Sequence, residues 1–184
     1  MERNDAELVR RTRAGDQEAF RELYDRYHRQ VLAVAVAMTG GSDDAMDVVQ
    51  ETFVRAHKNL GSFLGESSFY TWLYRIAVNV GIDSRRRQRR RSEIMQSEPI
   101  EEDASDPERT IDPPTEASRR QLGARILRVI DELTPEHKAA IILREIEGLS
   151  YEDISRVMQC SKGTVMSRLH YARKKLQAKL RDLL

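Results

Sequence analysis

Four groups of residues in this chain have the types and spacing to do chemistry, and in each the chemistry is recognition. Asp43, Asp47 and Glu51 recur every four residues, a spacing that stacks carboxylates on one helix face, where they repel by about 0.2–0.5 kcal/mol per pair. Acids in a first turn suit the positive end of a helix, which accounts for Asp43, Asp44 and Asp47. Glu51 lies too far in for that, so the ridge reads as a docking surface for a basic protein. A divalent-metal site is the enzymatic alternative, but no histidine or second acidic motif accompanies these acids. In the second group, Tyr70, Thr71, Tyr74, Arg75, Val78 and Asn79 fall off the apolar stripe of their helix, and a surface of aromatics, Arg and Asn suits unstacked bases. The third is Arg85, Arg86, Arg87, Arg89, Arg90 and Arg91, six arginines in seven residues. Their mutual repulsion calls for a polyanion or an acidic partner, with nucleic-acid phosphate the favoured one. The fourth is Lys162, Met166, Ser167, His170, Arg173 and Lys174, along one side of a single predicted helix. No nucleophile stands beside a base anywhere, so no catalytic residue, metal or cofactor is assigned.

The elements that must position these groups are all helical. Asp5 to Ala14 predicts a short helix stopped at Gly15, and Asp16 caps the next, where Phe20, Leu23, Tyr24, Tyr27, Val31, Val34 and Met38 keep core spacing. Its tyrosines read as core packing. Gly40 and Gly41 end it, and Ser42 caps a third helix that buries Ala45, Val48, Val49, Thr52, Phe53 and Ala56. After the polar loop from Gly61 to Ser67, a fourth helix turns Phe69, Trp72, Leu73, Ile76 and Val80 inward and runs into the arginines. Near the end, Thr134 caps a helix beginning at Pro135 and closed by Gly148 in a left-handed conformation. Ser150 caps a short helix, Gln159 and Cys160 turn, and Ser161 caps a longer one that buries Val165, Leu169, Ala172 and Leu176. Two helices joined tightly, the second basic on its free side, describe a DNA-reading helix-turn-helix. On spacing alone they also describe a plain helical hairpin.

Composition bounds the whole. The 184 residues are 40% hydrophobic and 33% charged with net charge +1, enough for two small helical cores but not the charge of a generic polyanion binder. The charges are segregated instead: the stretch from Ser92 to Glu116 is acidic and carries Pro99, Pro107, Pro113 and Pro114. It reads as an extended or disordered linker, either a plain spacer or a mimic of nucleic acid in a basic channel. The longest apolar run, Val31 to Met38, is far short of the roughly 20 residues of a membrane span, and no signal peptide is visible, so a cytoplasmic protein is expected. The single cysteine, Cys160, excludes an internal disulfide and reads as a small hydrophobe in a turn.

Three stretches together carry a resemblance: DAMDVVQETF at Asp44 to Phe53, SSFYTWLYRIAVN at Ser67 to Asn79, and ILREIEGLSYEDISRVMQCSKGTVMSRLHYAR at Ile142 to Arg173. In type and order they resemble bacterial RNA polymerase sigma factors of the extracytoplasmic-function group, nearest the sigma-E (RpoE) type. The resemblance implies an all-α fold of two small domains: a sigma-two domain over 1–91, an acidic linker over 92–117 and a sigma-four domain over 118–184. It implies that Asp43, Asp47, Gln50 and Glu51 dock on the clamp helices of the polymerase beta-prime subunit, with the beta flap as a further contact. Ser68, Tyr70, Tyr74, Arg75 and Asn79 would hold the melted minus-ten strand, with Arg85 and Arg86 on its backbone. Ser161, Lys162, Thr164, Met166, Ser167, Arg168 and His170 would meet the minus-thirty-five element. The linker would thread into polymerase channels near the RNA path, and an anti-sigma factor, released by a stress signal, would control the whole. Two departures stand out: Met166 replaces an arginine common among such proteins, losing its bidentate bonds to guanine, and the arginine run is more basic than in many of them. A stand-alone helix-turn-helix regulator is the alternative, which would need neither the acidic ridge nor a single-strand surface.

Overall fold

Local sequence signals set where each helix starts and stops. In the computed structural model, which describes residues 2–95, 123, 125, 126 and 128–181, α1 spans Glu2–Arg13 and α2 Gln17–Thr39. Between them Gly15 turns at φ +94°, and the Asp16 carboxylate accepts from the backbone N–H groups of Glu18 and Ala19 at 3.0 and 3.2 Å, satisfying two orphan donors. Gly40, at φ +79°, ends α2. Helix α3 spans Ser42–Asn59 with Gly41 at its cap position, so Ser42 is the first helical residue rather than the cap. A 3-10 turn over Leu60–Ser62 leads toward α4, Phe69–Met95. Helix α4 thus carries the arginine block along its own continuation.

The second unit follows. After helical residues 128–131, α5 spans Pro135–Ile141 and relaxes into a π-helical turn over Ile142–Ile146. Thr134 caps it, and Gly148, at φ +67°, closes it as expected. Helix α6 is Tyr151–Met158, capped by Ser150, and α7 is Lys162–Lys179, capped by Ser161. The turn between them rests on Gln159 in the left-handed region at φ 49°. No strand occurs among the described residues. Of the acidic stretch expected as a linker, Ser92 to Met95 continue α4, and the rest lies outside the described residues.

Two buried clusters hold the chain. The first joins α1 to α4 through Leu8, Leu23, Val31, Val49, Phe53, Phe69, Trp72 and Leu73. Its polar clamp is Asp5, which accepts from the Tyr27 hydroxyl and pairs with Arg26, while Arg13 donates to the Leu60 carbonyl at 2.9–3.0 Å. The second cluster crosses between the units: Val34, Met38, Tyr74 and Val78 share one core with Leu133, Ile141, Ile142, Ile154, Val165 and Leu169. The two helical units therefore pack directly on each other, with α4 against α5 and α6.

Candidate nucleic-acid interface

Helix α3 buries Ala45, Val48, Val49, Thr52, Phe53 and Ala56 as its spacing predicts, leaving Asp47 and Gln50 exposed. Glu51 is half-buried and accepts from Arg55 one turn on at 2.6 Å, which relieves part of the like-charge repulsion of the ridge. The Asp43 side chain lies outside the described residues. One feature of this face is not acidic: Met46 and Val54 are 56% and 39% exposed on either side of Gln50. With Phe20, Tyr24, Phe53 and His57 they line an open groove of about 510 Å³ between α2 and α3. Tyr24, 37% exposed and stacked on His28, therefore belongs to the groove wall and not to the core. Apolar residues at 46 and 54, four on either side of Gln50, are the sequence signal that would have found this groove.

The second group is only partly where it was expected. Ser68 is half-buried and its hydroxyl accepts from the Thr71 backbone N–H at 3.1 Å, so it caps the start of α4. Arg75 is half-buried and Asn79 exposed, both able to meet a ligand. Tyr74 and Val78 are not exposed: they are 0% and 1% accessible, because the second unit covers them. The Tyr74 hydroxyl donates to Glu147 at 2.6 Å, and the Tyr70 hydroxyl reaches the same carboxylate at 3.3 Å. The two rings lie 4.2 Å apart. Burial, then the Glu147 carboxylate, push the Tyr74 phenol well above its ordinary range, so it remains a hydrogen-bond donor at any physiological pH.

The arginine block has acquired acidic partners within the chain. Arg85 pairs with Asp131 at 3.2 Å, and Arg86 with Glu136 at 2.6 Å. Asp131 also pairs with Lys138, which is 1% exposed, so it neutralises a buried cation that would otherwise be costly. Burial alone would raise the Glu136 pKa, but its own backbone N–H and Arg86 hold it below the ordinary carboxylate value. Arg87, Arg89, Arg90 and Arg91 are exposed. Sequence reasoning missed Asp131, Glu136 and Glu147, since each meets a partner 46 to 77 residues away.

On α7 Val165, Leu169 and Ala172 are buried as expected, Leu176 is only half-buried at the edge of the core, and Ser161, Lys162, Met166, Ser167, His170, Arg173 and Lys174 are exposed. Ser161 also caps the helix, accepting from the Thr164 N–H at 3.1 Å. Thr164, half-buried, bonds the Ser161 hydroxyl at 2.9 Å. Lys162 pairs with Glu152 at 2.8 Å. Arg168 is half-buried, its guanidinium turned toward Met158 and the Cys160 sulfur at 3.7 Å. A short helix, a tight left-handed turn and a longer helix with a polar, basic free face make a helix-turn-helix able to enter a major groove.

Two family models match, sigma-70 region 2 over residues 23–91 and sigma-70 region 4 over residues 123–176. They fall on α2 to α4 and on the helix-turn-helix unit. The ECF RNA polymerase sigma-E factor of Haemophilus influenzae is 40% identical over 184 residues, covering 98% of this chain and 97% of that one. This chain belongs to the extracytoplasmic-function group of bacterial RNA polymerase sigma factors. The RNA polymerase sigma-H factor of Pseudomonas aeruginosa is 37% identical over 190 residues, 98% of this chain and 95% of the relative. The sigma-E factor of Escherichia coli is 39% identical over 184 residues, 98% and 96%. Among solved structures, CnrH in complex with the cytosolic domain of CnrY matches with a TM-score of 0.70 at 27% identity, covering 97% of this chain and 98% of that one. RpoE in complex with the anti-sigma factor NepR from Bartonella quintana matches with a TM-score of 0.65 at 27% identity, covering 88% and 96%. The sigma factor is a non-catalytic partner of core RNA polymerase and promoter DNA in transcription initiation. No helix among its described residues is long and apolar enough to cross a membrane.

Proposed function

We propose that this sigma factor divides its work among three surfaces. The acidic face of α3, Asp43, Asp47, Gln50 and Glu51, docks on the basic clamp helices of the polymerase beta-prime subunit, and Met46 and Val54 give that contact an apolar centre inside its polar rim. The start of α4, Ser68, Tyr70, Tyr74, Arg75 and Asn79, receives the melted minus-ten strand, with Arg85 and Arg86 on its phosphates. Holding a base outside the stack traps the open duplex, so binding energy alone does the melting. The free face of α7, with Ser161, Lys162, Thr164, Met166, Ser167, Arg168 and His170, meets the minus-thirty-five element, and the second domain also contacts the beta flap. Functionally the chain divides into 1–91, 92–117 and 118–184.

The observation that carries this reading is the exposed acidic and apolar face of α3 beside a separate, basic, exposed face on α7. A stand-alone regulator has no use for the first. The two solved relatives bound to CnrY and NepR support a further part: an anti-sigma partner holds this chain in the cytoplasm until a stress signal releases it. Asp47→Arg with Glu51→Arg tests the docking assignment. Asp47 is exposed, and Glu51 gives up only its solvent-open pair with Arg55 one turn on, so the fold loses no more than about 1 kcal/mol. The melting temperature is expected to hold while capture of core polymerase is lost; capture at wild-type strength would overturn the assignment.

A further inference from the structure

Two residues on the free face of α7 are there for no reason internal to the fold. Gly163 stands in the first turn, exposed and in ordinary helical conformation, outside the left-handed region that calls for glycine. A Cβ added there would meet nothing beyond its own helix backbone except the Ser161 hydroxyl, at an easy 3.7 Å. Neither backbone nor packing therefore asks for a residue that weakens a helix. Three residues on, and so on the same face, Met166 is 57% exposed, with Lys162, Ser167 and His170 as polar, exposed neighbours. A lone exposed methionine needs no explanation. One beside a stretch of bare helix backbone, on a face suited to base edges, has a specific shape: a notch walled by a long apolar chain. Tyr151, Leu169, His170 and Arg173 line with Met166 an open hollow of about 540 Å³, which leaves that flexible chain room to settle over an arriving group.

Chemistry decides what fits. Base edges in a major groove present donors and acceptors everywhere except at the C5 methyl of thymine. A thioether has no donor and only a weak acceptor. Laid on guanine, adenine or cytosine it strips water from polar groups and returns no hydrogen bond, which is unfavourable. Laid on the methyl, it takes two apolar groups out of water together.

We propose that Gly163 and Met166 form a thymine-reading notch: Gly163 admits a base pair close to the α7 backbone, and Met166 covers the C5 methyl of its thymine. The notch rests on the assignment of the free face of α7 to the minus-thirty-five element. It adds a residue to that face, Gly163, and gives the donorless Met166 a base to prefer. Lys162, one turn before Met166, reads by hydrogen bond, so neighbouring positions of the element are read by opposite chemistries.

The test uses the complex of core polymerase with the full chain. The preferred minus-thirty-five duplex is selected from a random library, and each thymine of either strand is then replaced in turn by uracil, which lacks only the C5 methyl. At one position uracil is expected to weaken wild-type binding about fourfold, the worth of one methyl group taken out of water. Met166→Ala is expected to bind the thymine and uracil duplexes equally at that position. Gly163→Ala is expected to keep or raise the melting temperature, since alanine is the better helix former, and yet to lose affinity severalfold for both duplexes alike. A preferred element without thymine, uracil as good as thymine at every position, an unchanged thymine-to-uracil ratio in Met166→Ala, or full-strength binding by Gly163→Ala would each overturn the notch. A complex that transcribes and changes its ranking of duplexes with Lys162→Ala while failing these arms loses the notch alone. One that transcribes from no fragment loses the sigma reading, and the notch with it.

Discussion

On the proposed reading, Lys162 is a single side chain that carries part of the minus-thirty-five specificity. It stands in the first turn of α7, exposed and paired with Glu152 at 2.8 Å, an ion pair worth little in water. An ammonium there is free to leave Glu152 for an acceptor on a base edge, whereas Arg168, turned toward Met158 and Cys160, must first swing out. Met166, 57% exposed on the same face, contributes apolar contact and no donor. Lys162→Ala is therefore expected to change the ranking of minus-thirty-five variants by about tenfold at its contacted position, the range of one good base contact. Electrophoretic competition among duplex variants by the polymerase complex measures it; an unchanged ranking would remove Lys162 from the base-reading set. At this scale the sequence was legible where exposure follows the period of a single helix, as on α7. It was not legible at Tyr74, because the group that covers it, Glu147, lies 73 residues away and no local pattern reports so distant a contact.

At the scale of elements, the sequence was read well at the ends of helices. Asp16, Gly40, Thr134, Gly148, Ser150 and Ser161 are all where their side chains or their backbone freedom predict, because capping is settled within a few residues. The π-helical turn at Ile142–Ile146 was missed, since a one-residue change of register leaves the apolar spacing of α5 nearly intact. The start of α5 also carries a pH dependence. His137 packs on Tyr171, and its Nδ1 lies 2.6 Å from the Thr134 hydroxyl. Burial first, then nearby Arg168, hold its pKa below its ordinary value of 6.5. The sign follows: as pH falls through about 6.5 the unfolded chain takes up the proton before the folded one, so stability is lost with falling pH. Glu136 beside it, also depressed, acts in the same direction at lower pH. The melting temperature is expected to fall between pH 7.5 and pH 5.5, and His137→Asn to flatten that fall. A steeper fall in the variant would contradict the assignment.

At the scale of the whole molecule, two helical units each fold around their own apolar stripes, and a third set of contacts joins them. The first two were legible because each stripe follows the 3.6-residue period of its helix. The third was legible only as a puzzle: six arginines in seven residues asked for a counter-charge, and two of them find it in Asp131 and Glu136 of the other unit. Function follows from the same arrangement. On the proposed reading, one acidic and apolar face binds polymerase, one basic helix reads duplex, and one aromatic surface lies between them under cover. The central claim is that these surfaces together give core polymerase its promoter choice. Transcription in vitro on a library of promoter fragments, with core RNA polymerase in the presence and absence of this protein, tests it most directly. Transcripts starting at defined sites only when the protein is present are the predicted result. Failure to transcribe any fragment, with the protein shifting duplex DNA in the absence of polymerase, would contradict it.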